Sequence, residues 1–278
     1  YLDMNDLGDS FFDYVDSNGA DLRVTKDDGK TEVAREVVAI STTDNTGELH
    51  FQANGTLSSS LDTDFFVYYG NPTASEPASN AIYGSENTWV SKYLLVSHDG
   101  GLTDSTSNAN DGTSSNTSST ATSKVGTEAR DFTASSSYIG ITTNAALDAT
   151  KNGYTISTWI NPDTFSAAHH ILVMKGYDGG DIPWWHGYLN GTGDMNCRYN
   201  GGWACTDNTD PSLSTWQYYV STFDGANMRG YKDGSLESST TSSAIASNTR
   251  NIGIGATYNY SGQADGSWGF DGKIDEVR

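Results

Sequence analysis

Residues 216–223, WQYYVSTF, and residues 228–234, MRGYKDG, read as strands: aromatic and β-branched residues crowd a short run, and Lys-Asp-Gly supplies a turn. The same signature recurs on either side, in YTISTWI (154–160), HILVMK (170–175), NIGIGA (251–256) and GKIDEVR (272–278). It recurs again in the first third of the chain, in ADLRVT (20–25), EVAREVVAI (32–40), GELHFQA (47–53) and TDFFVYYG (63–70). Asp27-Asp28-Gly29, Asn45-Thr46-Gly47 and Asn71-Pro72 punctuate these runs. The first of them predicts a tight hairpin turn, and a short helix is expected around 78–83. Many short strands joined by turns make an all-β protein.

Composition bounds the rest. A chain of 278 residues has room for about two domains, each with its own core. Lys+Arg total 15 against 35 Asp+Glu, a net charge of −20, which argues against nucleic acid and anionic lipid as partners. No apolar run approaches the roughly 18 residues of a membrane span, so membrane insertion is not expected. The 16 Tyr, 9 Phe and 7 Trp are what disordered chains lack. By composition alone the Ser/Thr/Asn/Gly-rich stretch 102–127 reads as a linker. A chain that begins at Tyr1 without an initiator Met or signal sequence is expected to be a mature form, a fragment or the ordered part of something longer.

Both cysteines, Cys197 and Cys205, lie in MNCRYNGGWACTD. Eight residues apart around Asn-Gly-Gly, they can face each other across a hairpin and form a disulfide; the alternative is two buried thiols. No His or further Cys flanks them as zinc would need. A disulfide, an acidic surface and little lysine point to an extracellular, cell-surface or virion-surface setting.

Aromatic residues gather around the cysteines. Trp184, Trp185, His186 and Tyr188 fall in DGGDIPWWHGYLNG, with Tyr199 and Trp203 beside Cys197 and Cys205. Read as loop or hairpin segments rich in Gly and Asp, they form a candidate sugar-binding surface. Flat rings stack on the apolar face of a pyranose while amides and carboxylates take the hydroxyls. A loop folded around its own tryptophans is the competing reading. Catalytic signatures are missing: there is no Gly-x-Ser-x-Gly elbow, no metal-protease histidine spacing and no phosphate-cradling glycine loop. His50, between Leu49 and Phe51, reads as a half-exposed strand residue, and His169-His170 as the start of a strand.

Two resemblances organise these readings. GADLRVTKDDGKTEVAREVV (19–38) and DFFVYYGNPTASEPASNAIY (64–83) resemble a bacterial and phage domain of unknown function; its opening strand is missing, so the N-terminus looks truncated. DSTSNANDGT (104–113), ARDFTASSSYIGI (129–141), YTISTWINP (154–162), WQYYVSTFDGANMRGYKDG (216–234) and FDGKIDEVR (270–278) resemble, in this order, the laminin-G-like, concanavalin A-like jelly roll. The resemblances imply a small N-terminal β-sandwich-like domain over 1–97 and a jelly roll over 98–278, with 104–127 its first strand and loop. They place Trp159 and Trp216 in the core. Calcium-binding relatives hold the ion between the first acidic loop and the closing strand, which implicates Asp104, Asn108, Asp111 and Asp275 in a structural Ca2+ site; turn-forming Asx residues are the alternative. The glucanase branch uses a Glu-x-Asp-x-x-Glu run, and none exists here. The expectation is a non-catalytic extracellular module that binds glycan. The alternative is a structural component of a phage virion, or an adhesin module that contacts neighbouring subunits.

Overall fold

The computed structural model describes every residue except 54, 56, 134–136, 149–152, 166–168, 178–180, 190–194, 200–201, 207–210, 243–248, 259–263 and 266–267. The chain divides into two compact units: Tyr1–Tyr93 with Ser105–Ala109 and Val125–Thr127, and the remainder from Leu94 to Arg278.

In the first unit the strands are β1 (Leu2–Asp3), β2 (Arg23–Lys26), β3 (Glu32–Val33), β4 (Arg35–Ser41), β5 (Thr46–Phe51) and β6 (Phe65–Tyr68). They form two three-stranded sheets, β1-β5-β4 and β3-β2-β6. Asp28 closes the β2–β3 hairpin by accepting the backbone N–H groups of Lys30 and Thr31 at 2.9 and 2.8 Å. Gly29 supplies the positive φ (64°) that this turn needs. A 3-10 helix (Met4–Leu7) and α1 (Asp9–Phe12) deliver Met4, Phe11 and Phe12 to a core with Leu22, Val24, Val33 and Leu49. Each is only four residues long, too short for a helical period to show in sequence. The helix expected around 78–83 does not form; that stretch is turns, followed by a 3-10 helix at Ser85–Thr88. Its start is tied back by Glu86, whose N–H donates to Ser79 O and whose Oε1 accepts from Ser79 Oγ.

The second unit is a sandwich of two seven-stranded antiparallel sheets. Its strands are β7 (Gly112–Ser115), β8 (Thr117–Thr120), β9 (Ala129–Thr133), β10 (Tyr138–Ile141), β11 (Tyr154–Pro162), β12 (His169–Tyr177), β13 (Asp181–Leu189), β14 (Met195–Tyr199), β15 (Gly202–Thr206), β16 (Gln217–Phe223), β17 (Asn227–Lys232), β18 (Ser235–Thr241), β19 (Ile252–Ile254), β20 (Thr257–Tyr258), β21 (Ala264–Asp265) and β22 (Asp271–Asp275). A single turn of helix, α2 (Ala145–Asp148), follows β10. The sheet orders are β15-β14-β13-β12-β19-β10-β7 and β18-β17-β16-β11-β22-β9-β8, with β20 and β21 as a separate ribbon. Along β16, Gln217, Tyr219, Ser221 and Phe223 are buried and the residues between them only half-buried, the period of two expected of a sandwich strand. The core between the sheets holds Phe132, Ile139, Ile156, Ile160, Leu172, Tyr219, Phe223, Met228, Ile254, Phe270 and Ile274. The stretch that reads as a linker by composition contains β7 and β8, each at the end of its sheet, where β-branched threonine pairs well and little side-chain burial is required.

Candidate functional site: an aromatic row on the β13–β15 meander

β12, β13, β14 and β15 run antiparallel as a meander, with β15 at the sheet edge. The residues expected in loop or hairpin segments therefore lie on hairpin strands. The alternation of residues in WWHGY is a strand signal that the surrounding Gly and Asp obscure. The register sets Trp184 opposite Tyr199, Trp185 opposite Arg198, His186 opposite Cys197 and Tyr188 opposite Met195. On the next pair Cys197 stands opposite Cys205 and Arg198 opposite Trp203, with a shift between them that leaves Ala204 as the extra residue of a bulge. Positions 185, 198 and 203 thus form one row across three strands. His186 and Cys197, one position along from that row, are fully buried. Arg198 escapes a reading that looks only for aromatics; its sign in sequence is its place between Cys197 and Tyr199.

His186 is not part of an accessible surface. It sits between the sheets, with Nε2 3.1 Å from Thr158 Oγ1 and Nδ1 against Ser221 Oγ. Thr158, His186 and Ser221 have no exposed surface. Burial pushes the His186 imidazole down from 6.5 to about 3, so the ring is neutral and serves each hydroxyl through one nitrogen. A serine and a histidine in contact resemble a nucleophile and its base, but neither can be reached by a substrate from solvent.

Cys197 and Cys205 face one another across β14–β15, and no cysteine is free among the described residues. Asn200 and Gly201, where a turn is expected, lie outside the described residues.

The four residues implicated in calcium do not fit one ion. Asp104 uses Oδ1 for the N–H of Val96 and Oδ2 for the N–H of Asn110, at 3.1 and 2.8 Å. Asp111 Oδ1 accepts the Asp104 N–H at 2.9 Å. Asp275, fully buried in β22, accepts the N–H groups of Lys124 and Glu276 at 2.8 and 2.9 Å. Asn108 donates through Nδ2 to Tyr93 O and Thr106 Oγ1. Among the described residues, Asp104, Asp111 and Asp275 do not bring their carboxylates together within 4.8 Å as a shared cage would require. Each carboxylate terminates backbone donors, which is the Asx-type role.

Other positions differ from expectation. Trp159 and Trp216 are half-buried and not core residues. Trp159 pairs with Tyr218 on the neighbouring strand, ring centroids 5.1 Å apart, and Lys124 Nζ lies 4.7 Å from its ring centroid. His50 is buried, with Nε2 2.8 Å from Glu48 Oε1 and its ring between those of Tyr1 and Trp89. His170 has no exposed surface, and burial pushes it down to about 4.

Several known proteins are similar to this chain in part. Domain 4 of AbnA, an extracellular arabinanase from Geobacillus stearothermophilus solved with arabinotriose, is similar over 66% of this chain and 91% of its own, at 17% identity and a TM-score of 0.49. A Trypanosoma rangeli sialidase solved with a difluoro-KDN ligand is similar over 66% of this chain at 14% identity and a TM-score of 0.49, but this chain spans only 29% of it. A heptameric SAP-like pentraxin from Limulus polyphemus is similar over 46% of this chain and 63% of its own, at 15% identity and a TM-score of 0.37. No curated protein matches the chain. No helix among the described residues is long and apolar enough to cross a membrane. Residues 133–278, more than half of the chain and most of the sandwich, match the Laminin_G_3 family, so the protein belongs to the concanavalin A-like lectin/glucanases superfamily.

Proposed function

We propose that the sandwich is a non-catalytic extracellular recognition module that binds glycan through the outer face of the β13–β15 meander. The observation that supports this reading is the register, which aligns positions 185, 198 and 203 in one row across β13, β14 and β15. Two indole positions flanking a guanidinium position suit a sugar ring, with stacking on its C–H face and charge-assisted donors to its hydroxyls. A disulfide between Cys197 and Cys205 would pin that register. Membership of a superfamily of lectins and glucanases agrees with a carbohydrate ligand, and the absence of a Glu-x-Asp-x-x-Glu run favours the lectin side of it. A glycan array probed with wild type, Trp185→Ala and Trp203→Ala tests the reading. Wild type should bind at least one glycan class, and each substitution should weaken that binding by about 1–3 kcal/mol, the loss expected of an aromatic anchor. A wild-type protein that binds no glycan, or variants that bind as well as wild type, would refute it.

A further inference from the structure

We infer that the free edge of β6 docks an extended, basic peptide segment of a partner protein, which adds a fourth strand to the β3-β2-β6 sheet. The inference concerns the first unit alone and does not rest on the glycan reading.

β6 (Phe65–Tyr68) ends its sheet, paired with β2 on one side and, among the described residues, with no strand on the other. An edge strand offers a row of unpaired N–H and C=O groups, which proteins blunt with short length, charge, proline or a bulge. The other edges of this unit carry such devices. β1 and β3 are two residues long, and β4 holds Arg35, Glu36 and a bulge between Val37 and Ala39. β6 has four residues, Phe65-Phe66-Val67-Tyr68, with no charge and no proline, and it pairs with β2 without a shift of register.

Phe65 and Val67 pack against the core of the unit, while Phe66 and Tyr68, on the other face, are 46% and 48% exposed. The Tyr68 hydroxyl donates to Gly29 O at 3.0 Å, which braces its ring. Just past the strand, Asp21 accepts the N–H groups of Gly70 and Asn71, so the exit of β6 is fixed before any ligand arrives. A preformed edge with an aromatic face suits strand addition. The main chain of the ligand completes the ladder and its alternate side chains supply selectivity.

Charge names the occupant. At the start of β6 a cavity of about 300 Å³ has Lys26, Asp27, Leu57, Asp62, Asp64 and Phe65 in its lining. That is three carboxylates to one ammonium, and among the described residues no hydrogen bond or ion pair engages the side chain of Asp27, Asp62 or Asp64. A Lys or Arg at the cavity end of the added strand supplies the missing cation. A second copy of this chain fits less well. Paired antiparallel through β6, it would bring Tyr69 and Gly70 to the cavity with no cation, and each copy carries a net charge of −20.

The test is selection of phage-displayed random octapeptides against the whole chain, followed by fluorescence anisotropy of the selected peptides made synthetically. The binders should carry Lys or Arg at one end, apolar residues at alternate positions and no proline between. Binding should weaken about fivefold in Phe66→Lys and in the double variant Asp62→Asn/Asp64→Asn, and should fall in about 1 M salt, where the screening length is about 3 Å. All three side chains are exposed, so the variants should melt as wild type does. Hydrogen exchange on wild type decides the matter even where a variant folds poorly: bound peptide should slow exchange of backbone amides within Phe65–Tyr68. A library that yields no binder, binders without basic residues, unchanged affinity in both variants, or unchanged exchange in β6 would each overturn the inference. A wild-type dimer in analytical ultracentrifugation that Phe66→Lys dissolves would assign the edge to a second copy instead.

Discussion

Nδ1 of His186, on one sheet, meets Oγ of Ser221, on the other, across the interior of the sandwich. The contact uses a neutral imidazole, because burial holds His186 at about 3, well below its ordinary 6.5. Between those values the unfolded chain takes up a proton that the folded chain refuses. The stabilisation is present above pH 6.5 and is lost as pH falls below it, by at most about 1.4 kcal/mol per pH unit. His170, held at about 4, adds a loss of the same sign over pH 6.5 to 4.

Urea unfolding at pH 7, 6 and 5 should therefore show stability declining on acidification. His186→Phe cannot titrate and should flatten that decline, whatever it does to stability at pH 7. A decline as steep in His186→Phe as in wild type would show that the ring is not the titrating group.

The cysteine pair makes a second prediction. Mass measurement of unreduced protein after alkylation should find no modified thiol and a mass two hydrogens below that of the reduced chain. Closing so short a loop contributes about 2–3 kcal/mol on the chain-entropy estimate, so reduction should lower stability by no more than that and leave the sandwich folded. Two freely alkylated thiols in native protein would count against the bond.

Arg35 anchors the first unit. Its Nε donates to Leu22 O at 2.9 Å and its two Nη atoms grip Glu76, while the guanidinium itself is completely buried. Glu76→Gln should cost about 1–3 kcal/mol, because it weakens charge-assisted bonds to a cation that cannot move to water. Arg35→Lys should cost at least as much, since an ammonium cannot make the fork. Differential scanning calorimetry on the whole chain should show the loss; an unchanged thermogram for both variants would exclude the pair as a source of stability.

Asp104 closes the loop that opens the second unit by accepting the N–H groups of Val96 and Asn110. Asp104→Ala orphans both donors and should destabilise by about 2–4 kcal/mol. The loss should be the same in millimolar calcium and in EDTA. If calcium stabilises wild type but not Asp104→Ala, the carboxylate is a metal ligand and not a backbone cap.

The strands of both units were readable because their residues alternate, as in WQYYVSTF, or are uniformly β-prone, as in YTISTWI. The aromatic cluster was readable as composition but not as geometry. WWHGY alternates, yet the Gly and Asp around it favour turns, and only pairing with β12 and β14 makes it a strand. Nothing local marks His186 as a residue of WWHGY that faces the core; a strand's two faces are assigned by what packs on them. Trp159 shows the opposite error. A tryptophan between Thr158 and Ile160 looks like core, but Ile160 already fills the inner face, so alternation turns Trp159 outward to Tyr218. Asp275 reads as a metal ligand because an acid in an apolar strand needs a partner. Its partners are the N–H groups of Lys124 and Glu276, and no local pattern reveals the one from a distant segment.

The placement of β22 has a consequence for biosynthesis. It lies in the middle of its sheet, hydrogen-bonded to β11 on one side and β9 on the other. During translation β9 and β11 leave the ribosome long before residues 271–275. Until then the sheet exists as two separate pieces, each with a bare strand edge able to pair with another chain. Closure depends on contacts of very large sequence separation, which form slowly. A nascent chain stalled or cleaved before Asp271 is thus a pair of open half-sheets, prone to associate with other chains, and β22 is the strand that removes that hazard.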